Sequence, residues 1–169
     1  MFKAARSTAL AVALCALAFA PAGLQAKVFK MANQGDVVSL DPYSLNESFQ
    51  LSFLANIFDA LVLYNKQTGV APGLATEWKQ VNPTTWRFTL RKGVAFHDGT
   101  PFNADDVVFS FARGQSESSD VKSGISAIAE VKKIDDYTVD LVTKTAFPIL
   151  PETLRTFYIM SKKWCEANN

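Results

Sequence analysis

The chain has 169 residues, enough for one domain or two at most. With 49% hydrophobic and 20% charged residues it can bury a core, which excludes a disordered chain. A formal net charge of +1 without any basic cluster removes the electrostatic case for nucleic acid as a partner.

The first 26 residues stand apart. Lys3 and Arg6 form a basic start, Thr8 to Phe19 is an apolar run, and Pro21 and Gly23 break it before Leu24-Gln25-Ala26. This is the layout of a secretory signal peptide cleaved after Ala26. A membrane-spanning anchor needs roughly 18 or more apolar residues, and this run is shorter. Cleavage removes two basic residues and no acidic ones, taking the net charge from +1 to −1. Leu14 stands before Cys15 where a lipid-anchoring signal wants a small residue, so Cys15 belongs to the discarded segment. Cys165 is then the one mature cysteine and forms no internal disulfide.

Val28-Phe29-Lys30-Met31 predicts a short first strand. Gly35-Asp36 and Asp41-Pro42 are turn signals around Val37–Leu40. Phe49, Phe53, Ile57 and Leu61 recur every four residues, with Leu54 and Phe58 beside them, and predict a helix with this stripe facing the core. Val62-Leu63-Tyr64 leads into Lys66-Gln67-Thr68-Gly69, a turn between strands, and Pro72-Gly73 is a further break. Glu77–Val81 and Thr85–Leu90 flank Asn82-Pro83-Thr84 and predict a hairpin. In its second strand Trp86, Phe88 and Leu90 alternate with Arg87, Thr89 and Arg91, the period of a half-buried antiparallel strand. Asn103 is a good N-cap, with Asp105 and Asp106 in the first turn of a helix through Val107, Val108 and Phe111 that fades near Gly114. Ser116 to Gly124 is polar and reads as a mobile loop. Ile128–Ile134 and Thr138–Thr143 around Asp135-Asp136-Tyr137 predict a second hairpin. Pro148 and Pro151 punctuate the end, Tyr158-Ile159-Met160 predicts a strand, and a short helix follows Ser161. Strands and helices without regular βαβ alternation indicate an α+β fold.

Catalytic chemistry has little to work with. His97 is the only histidine, which excludes a multi-histidine zinc site. No GxSxG, phosphate-cradling loop or CxxC occurs. Capping accounts for Asp105 and Asp106, turn chemistry accounts for His97-Asp98-Gly99, and nothing local supports a dyad of Cys165 with His97. The residues by themselves describe a secreted α+β domain that is not an enzyme.

Three stretches carry a resemblance. Pro72-Gly73-Leu74-Ala75-Thr76-Glu77-Trp78 leads to Thr85-Trp86-Arg87-Phe88-Thr89-Leu90-Arg91-Lys92-Gly93-Val94. Phe96-His97-Asp98-Gly99-Thr100-Pro101-Phe102-Asn103-Ala104-Asp105-Asp106-Val107-Val108-Phe109-Ser110-Phe111 follows. Together they resemble the signature region of the peptide/nickel class of ABC-transporter solute-binding proteins, the bacterial extracellular solute-binding protein family 5. Ser39-Leu40-Asp41-Pro42, Ile57-Phe58-Asp59-Ala60-Leu61 and Val131–Val139 resemble further segments of that family, so the match covers essentially the whole mature chain.

The resemblance implies a periplasmic, class II-like receptor whose two lobes close on a ligand, most often a di- or oligopeptide. Other members take nickel, opines, glutathione or sugars. It implies inner-membrane permease and ATPase subunits as partners, a monomer, and no cofactor, metal or nucleic acid. The expected organisation is a signal peptide at 1–26, the first strand and turn of lobe I at 27–48, and a small α+β subdomain at 49–169. Family members are much longer, and the chain is expected to be truncated before the rest of lobe I and lobe II, with an incomplete cleft. The signature residues Trp78, Trp86, Phe88, Arg91, Gly93, Phe96, Asp98, Gly99, Pro101, Asp105 and Val107 are read as structural. The ligand-facing stretch maps onto Asn46, Glu47 and Ser48, where backbone groups can pair with an extended peptide. A solvated surface charge is the other reading of Glu47. A self-sufficient secreted interaction domain with no transport role is the alternative to peptide uptake.

Overall fold

A computed structural model describes residues 35–168, and Val28, Lys30 and Ala32 ahead of them. Val28 and Lys30 carry no secondary structure; Phe29 and Met31 lie outside the described residues, as does the expected signal peptide.

The two predicted hairpins build the sheet. β3 (Ala75–Asn82) pairs with β4 (Thr85–Leu90), and β5 (Ile128–Asp135) pairs with β6 (Thr138–Thr143), both antiparallel. β4 and β6 join them edge to edge, so the strand order is β3-β4-β6-β5. The alternation in β4 sends Phe88 and Leu90 into the core, with Trp86 half-buried beside them. On the opposite face Arg87 donates from Nε and Nη2 to the Asp140 carboxylate at 2.7 and 2.8 Å, across the β4–β6 register. A ribbon of β1 (Val62–Asn65) and β2 (Gly69–Pro72) precedes the sheet, turned by Lys66–Thr68 as its sequence predicts.

The helix α2 (Ala104–Gly114) buries Val107 and Phe111 in the same core as Phe88, Phe102, Val139 and Leu141. Its start is a capping box. The Asn103 side chain accepts the Asp105 N–H at 2.7 Å, and the Asp106 carboxylate accepts the Asn103 N–H at 2.9 Å. Lys133 bridges Asp105 and Asp136, each at 2.8 Å, and ties the second hairpin to this helix start. Gly114 ends the helix against an aromatic wall. A Cβ there would stand 2.6 Å from the Phe157 ring, so only glycine fits this approach.

Two predicted elements differ. The helix over Phe49–Leu61 is one short helix, α1 (Ser48–Leu54), followed by turns. The Asn56 amide donates back to the Ser52 and Phe53 carbonyls at 3.1 Å each and ends the helix locally. Its buried face is Gln50 and Leu54, while Phe49 and Phe53 are half-buried and Ile57 is exposed. Tyr158–Met160 forms no full strand. Tyr158 bridges Ala60 and the Ile159 N–H reaches the Asp59 carbonyl at 2.9 Å, but Ser110 Oγ takes the Met160 N–H at 2.9 Å. A side chain there replaces the next strand partner.

The Ser116–Gly124 loop buries Val121, and its Asp120 N–H donates to the Tyr43 carbonyl at 2.9 Å. The chain closes with α3 (Leu150–Thr153), which carries Pro151 in its first turn, and α4 (Lys162–Ala167), capped by Ser161 at 3.2 Å from the Trp164 N–H.

Candidate functional site

The Leu-Asp-Pro turn is held from several sides. Asp41 accepts the Tyr43 N–H at 3.0 Å on Oδ1, and its carbonyl accepts the Ser44 N–H at 3.3 Å. Arg113, in the last turn of α2, clamps the Asp41 carboxylate with both terminal nitrogens, at 2.9 and 2.6 Å. Such a two-pronged pair fixes orientation as well as distance. Burial works to raise the Asp41 carboxyl, but hydrogen bonds from Arg113 and the Tyr43 N–H, with the guanidinium charge, carry it below its ordinary value. The guanidinium also lies over the Tyr43 ring, 5.3 Å from its centroid. Tyr43 is buried, stacks on Phe157 and donates its hydroxyl to the Tyr158 carbonyl at 2.6 Å. Burial pushes its phenol well above the usual range, so it acts here as a neutral donor.

The predicted ligand-facing residues follow this turn. Asn46, Glu47 and Ser48 are all exposed and contiguous, just before and at the start of α1. Glu47 has extended backbone, φ −131 and ψ 140, and its side chain caps nothing. Its carbonyl accepts the Leu51 N–H at 2.9 Å.

A cavity of about 530 Å³ adjoins this turn: Leu40, Asp41 and Arg113 line it together with Ile57 to Asp59, Val94 to Asp98, Phe102, Ile159 to Ser161 and Trp164. Asn46, Glu47 and Ser48 are not among its lining residues. His97 and Cys165 both line it, but Cys165 is buried, and burial raises its thiol above the usual value. A thiol kept protonated is a poor nucleophile. Among the described residues no group of three histidine, cysteine or acidic side chains could hold a metal ion.

The signature residues divide among the sheet, the loop after it and the start of α2. Trp78 stacks on Phe88 with ring centroids 6.3 Å apart, and Trp86 donates from its indole to the Phe147 carbonyl at 3.1 Å. Arg91 reaches the Gly73 carbonyl at 3.0 Å. Gly93 and Gly99 adopt positive φ, 74 and 81, at turns where other residues are strained. The Asp98 carboxylate accepts the Thr100 N–H and hydroxyl at 2.9 and 2.6 Å, and Pro101 bridges Ala95. Phe96 meets Phe102 edge-on, Asp105 pairs with Lys133, and Val107 is fully buried. Sequence reasoning passed over Gln50, Tyr43 and Arg113. Gln50 sits inside the aromatic stripe with no pattern of its own, and nothing local to Arg113 announces a partner in the Asp41 turn.

Solved periplasmic binding proteins share this fold over part of their length. MoaA of A. tumefaciens R10, solved with mannopinic acid, superposes with a TM-score of 0.72 at 26% identity over 79% of this chain and 29% of its own. DppA from Helicobacter pylori, solved with the peptide STSA, gives a TM-score of 0.67 at 26% identity over 78% of this chain and 30% of its own. The family described as bacterial extracellular solute-binding proteins, family 5 Middle, matches residues 69–168, and the chain belongs to family 5. The dipeptide-binding protein of Escherichia coli K12 is 34% identical over 94% of this chain and 34% of its own length. The chain thus spans about a third of that relative.

Proposed function

We propose that this chain serves in the periplasmic substrate-binding component of an ABC transporter that takes up di- and oligopeptides. The observation that carries this reading is the alignment with the dipeptide-binding protein along 94% of the chain. The exposed stretch at Asn46 and Glu47, with extended backbone at Glu47, supports it, since an extended peptide can add to such a segment as a strand does. The residues that match the family signature serve the fold in this reading: they fill the sheet core, cap α2 and set the turns at Gly93 and Gly99. Export through the segment 1–26 would bring the chain to the periplasm, where a permease with its ATPase subunits is the partner. No catalytic step and no cofactor enter the proposal.

Transport tests it directly. In a host without other peptide permeases, deleting the gene for this chain should abolish uptake of labelled di-, tri- and tetrapeptides, and a plasmid copy should restore it. Unchanged uptake of all three would overturn the proposal.

A further inference from the structure

One side chain holds together the two ends of the loop that runs from Ser39 to Gln50. Gln50 lies in α1 and is 1% exposed. Its Oε1 accepts the Val38 N–H at 3.3 Å, and its Nε2 donates to the Ser39 carbonyl. A buried amide persists where both its ends are paired. Here it stands in for a neighbouring strand, meeting the N–H and C=O groups that flank the Val38–Ser39 peptide unit. Apolar burial does little for this segment, since Val38 is 80% and Leu40 62% exposed.

Each limb of the loop has its own anchor. The first limb is tied by the Asp41–Arg113 pair and by the Tyr43 hydroxyl on the Tyr158 carbonyl. The second is tied by the Tyr158 hydroxyl, which donates to the Leu51 carbonyl at 2.7 Å. Asn46 to Ser48 is the exposed stretch between these anchors. The arrangement has the form of a short surface loop with its ends brought together, closed by a side chain instead of a ladder.

We infer that Gln50 is a positioning residue: its amide clasps this loop shut and so holds the exposed Asn46–Ser48 stretch, extended at Glu47 and entering α1 at Ser48, ready for a peptide. The inference rests on the peptide-facing role proposed above for those three residues. Gln50 itself touches no ligand. Its effect is to remove chain freedom before binding, so that less is lost when the peptide docks.

Two variants of the full chain test the clasp. Gln50→Met keeps the length and packing of the side chain without the amide. Gln50→Asn keeps the amide but is one methylene too short to span to Val38 and Ser39. Amide hydrogen exchange is read at Val38, at Leu51, whose N–H donates to the Glu47 carbonyl, and at Phe88 in the core. In both variants exchange should speed at Val38 and at Leu51 and stay unchanged at Phe88. Titration calorimetry with Ala-Ala and Ala-Ala-Ala should show binding weakened about tenfold, the loss of two ordinary hydrogen bonds' worth of organisation. Wild-type exchange at Leu51, or acceleration that includes Phe88, would show that Gln50 does not position the stretch ending at Glu47. Faster loop exchange with undiminished affinity would overturn the link to the ligand. If the wild-type chain binds neither peptide, the peptide reading fails, while the exchange pattern still decides whether Gln50 is the clasp.

Discussion

The Asp41–Arg113 pair joins the loop to the body of the fold, and its chemistry sets a pH dependence. Asp41 has its carboxyl lowered from the ordinary value of 3.8, with burial opposed by the Arg113 and Tyr43 hydrogen bonds. A carboxylate depressed in the folded state stabilises it above the unfolded value and loses that contribution as pH falls through the folded value. Both partners are a third exposed, so solvent screens the pair and the effect is modest. Asp41→Asn should therefore lower the urea midpoint by a constant amount above about pH 5, with the difference from wild type shrinking below 3.8. A difference that is flat down to about pH 2.5, roughly a unit below the ordinary carboxyl value, would show that the pair adds nothing. Asp106 shifts the other way. Burial raises it despite the Asn103 and Lys162 N–H groups it accepts, so its ionised form opposes folding as pH rises from 3.8 through the higher folded value. The comparison of wild type with Asp41→Asn cancels that contribution.

The elements owe their ends to side chains more than to propensity. In α2 the reciprocal bonds of Asn103 and Asp106 satisfy two N–H groups that the helix leaves unpaired. Asn103→Ala removes one of them and should cost about 1 kcal/mol, read as a lower urea midpoint with an unchanged slope. A slope change would mean that the loop before the helix unfolds as well. In α1 the helix ends at Leu54, and the amide of Asn56, two residues on, bonds back to the Ser52 and Phe53 carbonyls before the four-residue stripe can reach Ile57. That is why the period seen in the sequence did not become a longer helix. The same competition occurs at Met160, where the Ser110 hydroxyl takes the N–H that a continuing strand would have paired.

The whole molecule adds what no single element contains. The two hairpins are local and each is closed by its own turn, but β4 meets β6 only after α2 has crossed between them. That crossing buries Phe88, Phe111 and Leu141 together and sets Arg113 beside the Asp41 turn. The secreted mature chain should begin at Lys27 on N-terminal sequencing and elute as a monomer from a sizing column. A retained Met1, or a species of twice the mass, would contradict export by cleavage or the monomeric state.

From the residues alone came the α+β class, both hairpins, the β1–β2 turn, the capped helix after Asn103 and the short helix after Ser161. All of these rest on short-range rules, namely strand alternation, turn chemistry and capping, that act within a few residues. The family also came from the residues, through ordered motifs around Trp78–Phe111 that its signature matches. Tertiary structure decided the length of α1, the fate of Tyr158–Met160, and the anchors of the loop that holds Asn46, Glu47 and Ser48. Those anchors join residues far apart in sequence: Tyr43 to Tyr158, Asp41 to Arg113, Leu51 to Tyr158. A hydrogen bond between distant side chains leaves no period or spacing in a sequence, because its partners are brought together only by the packing of the elements that carry them.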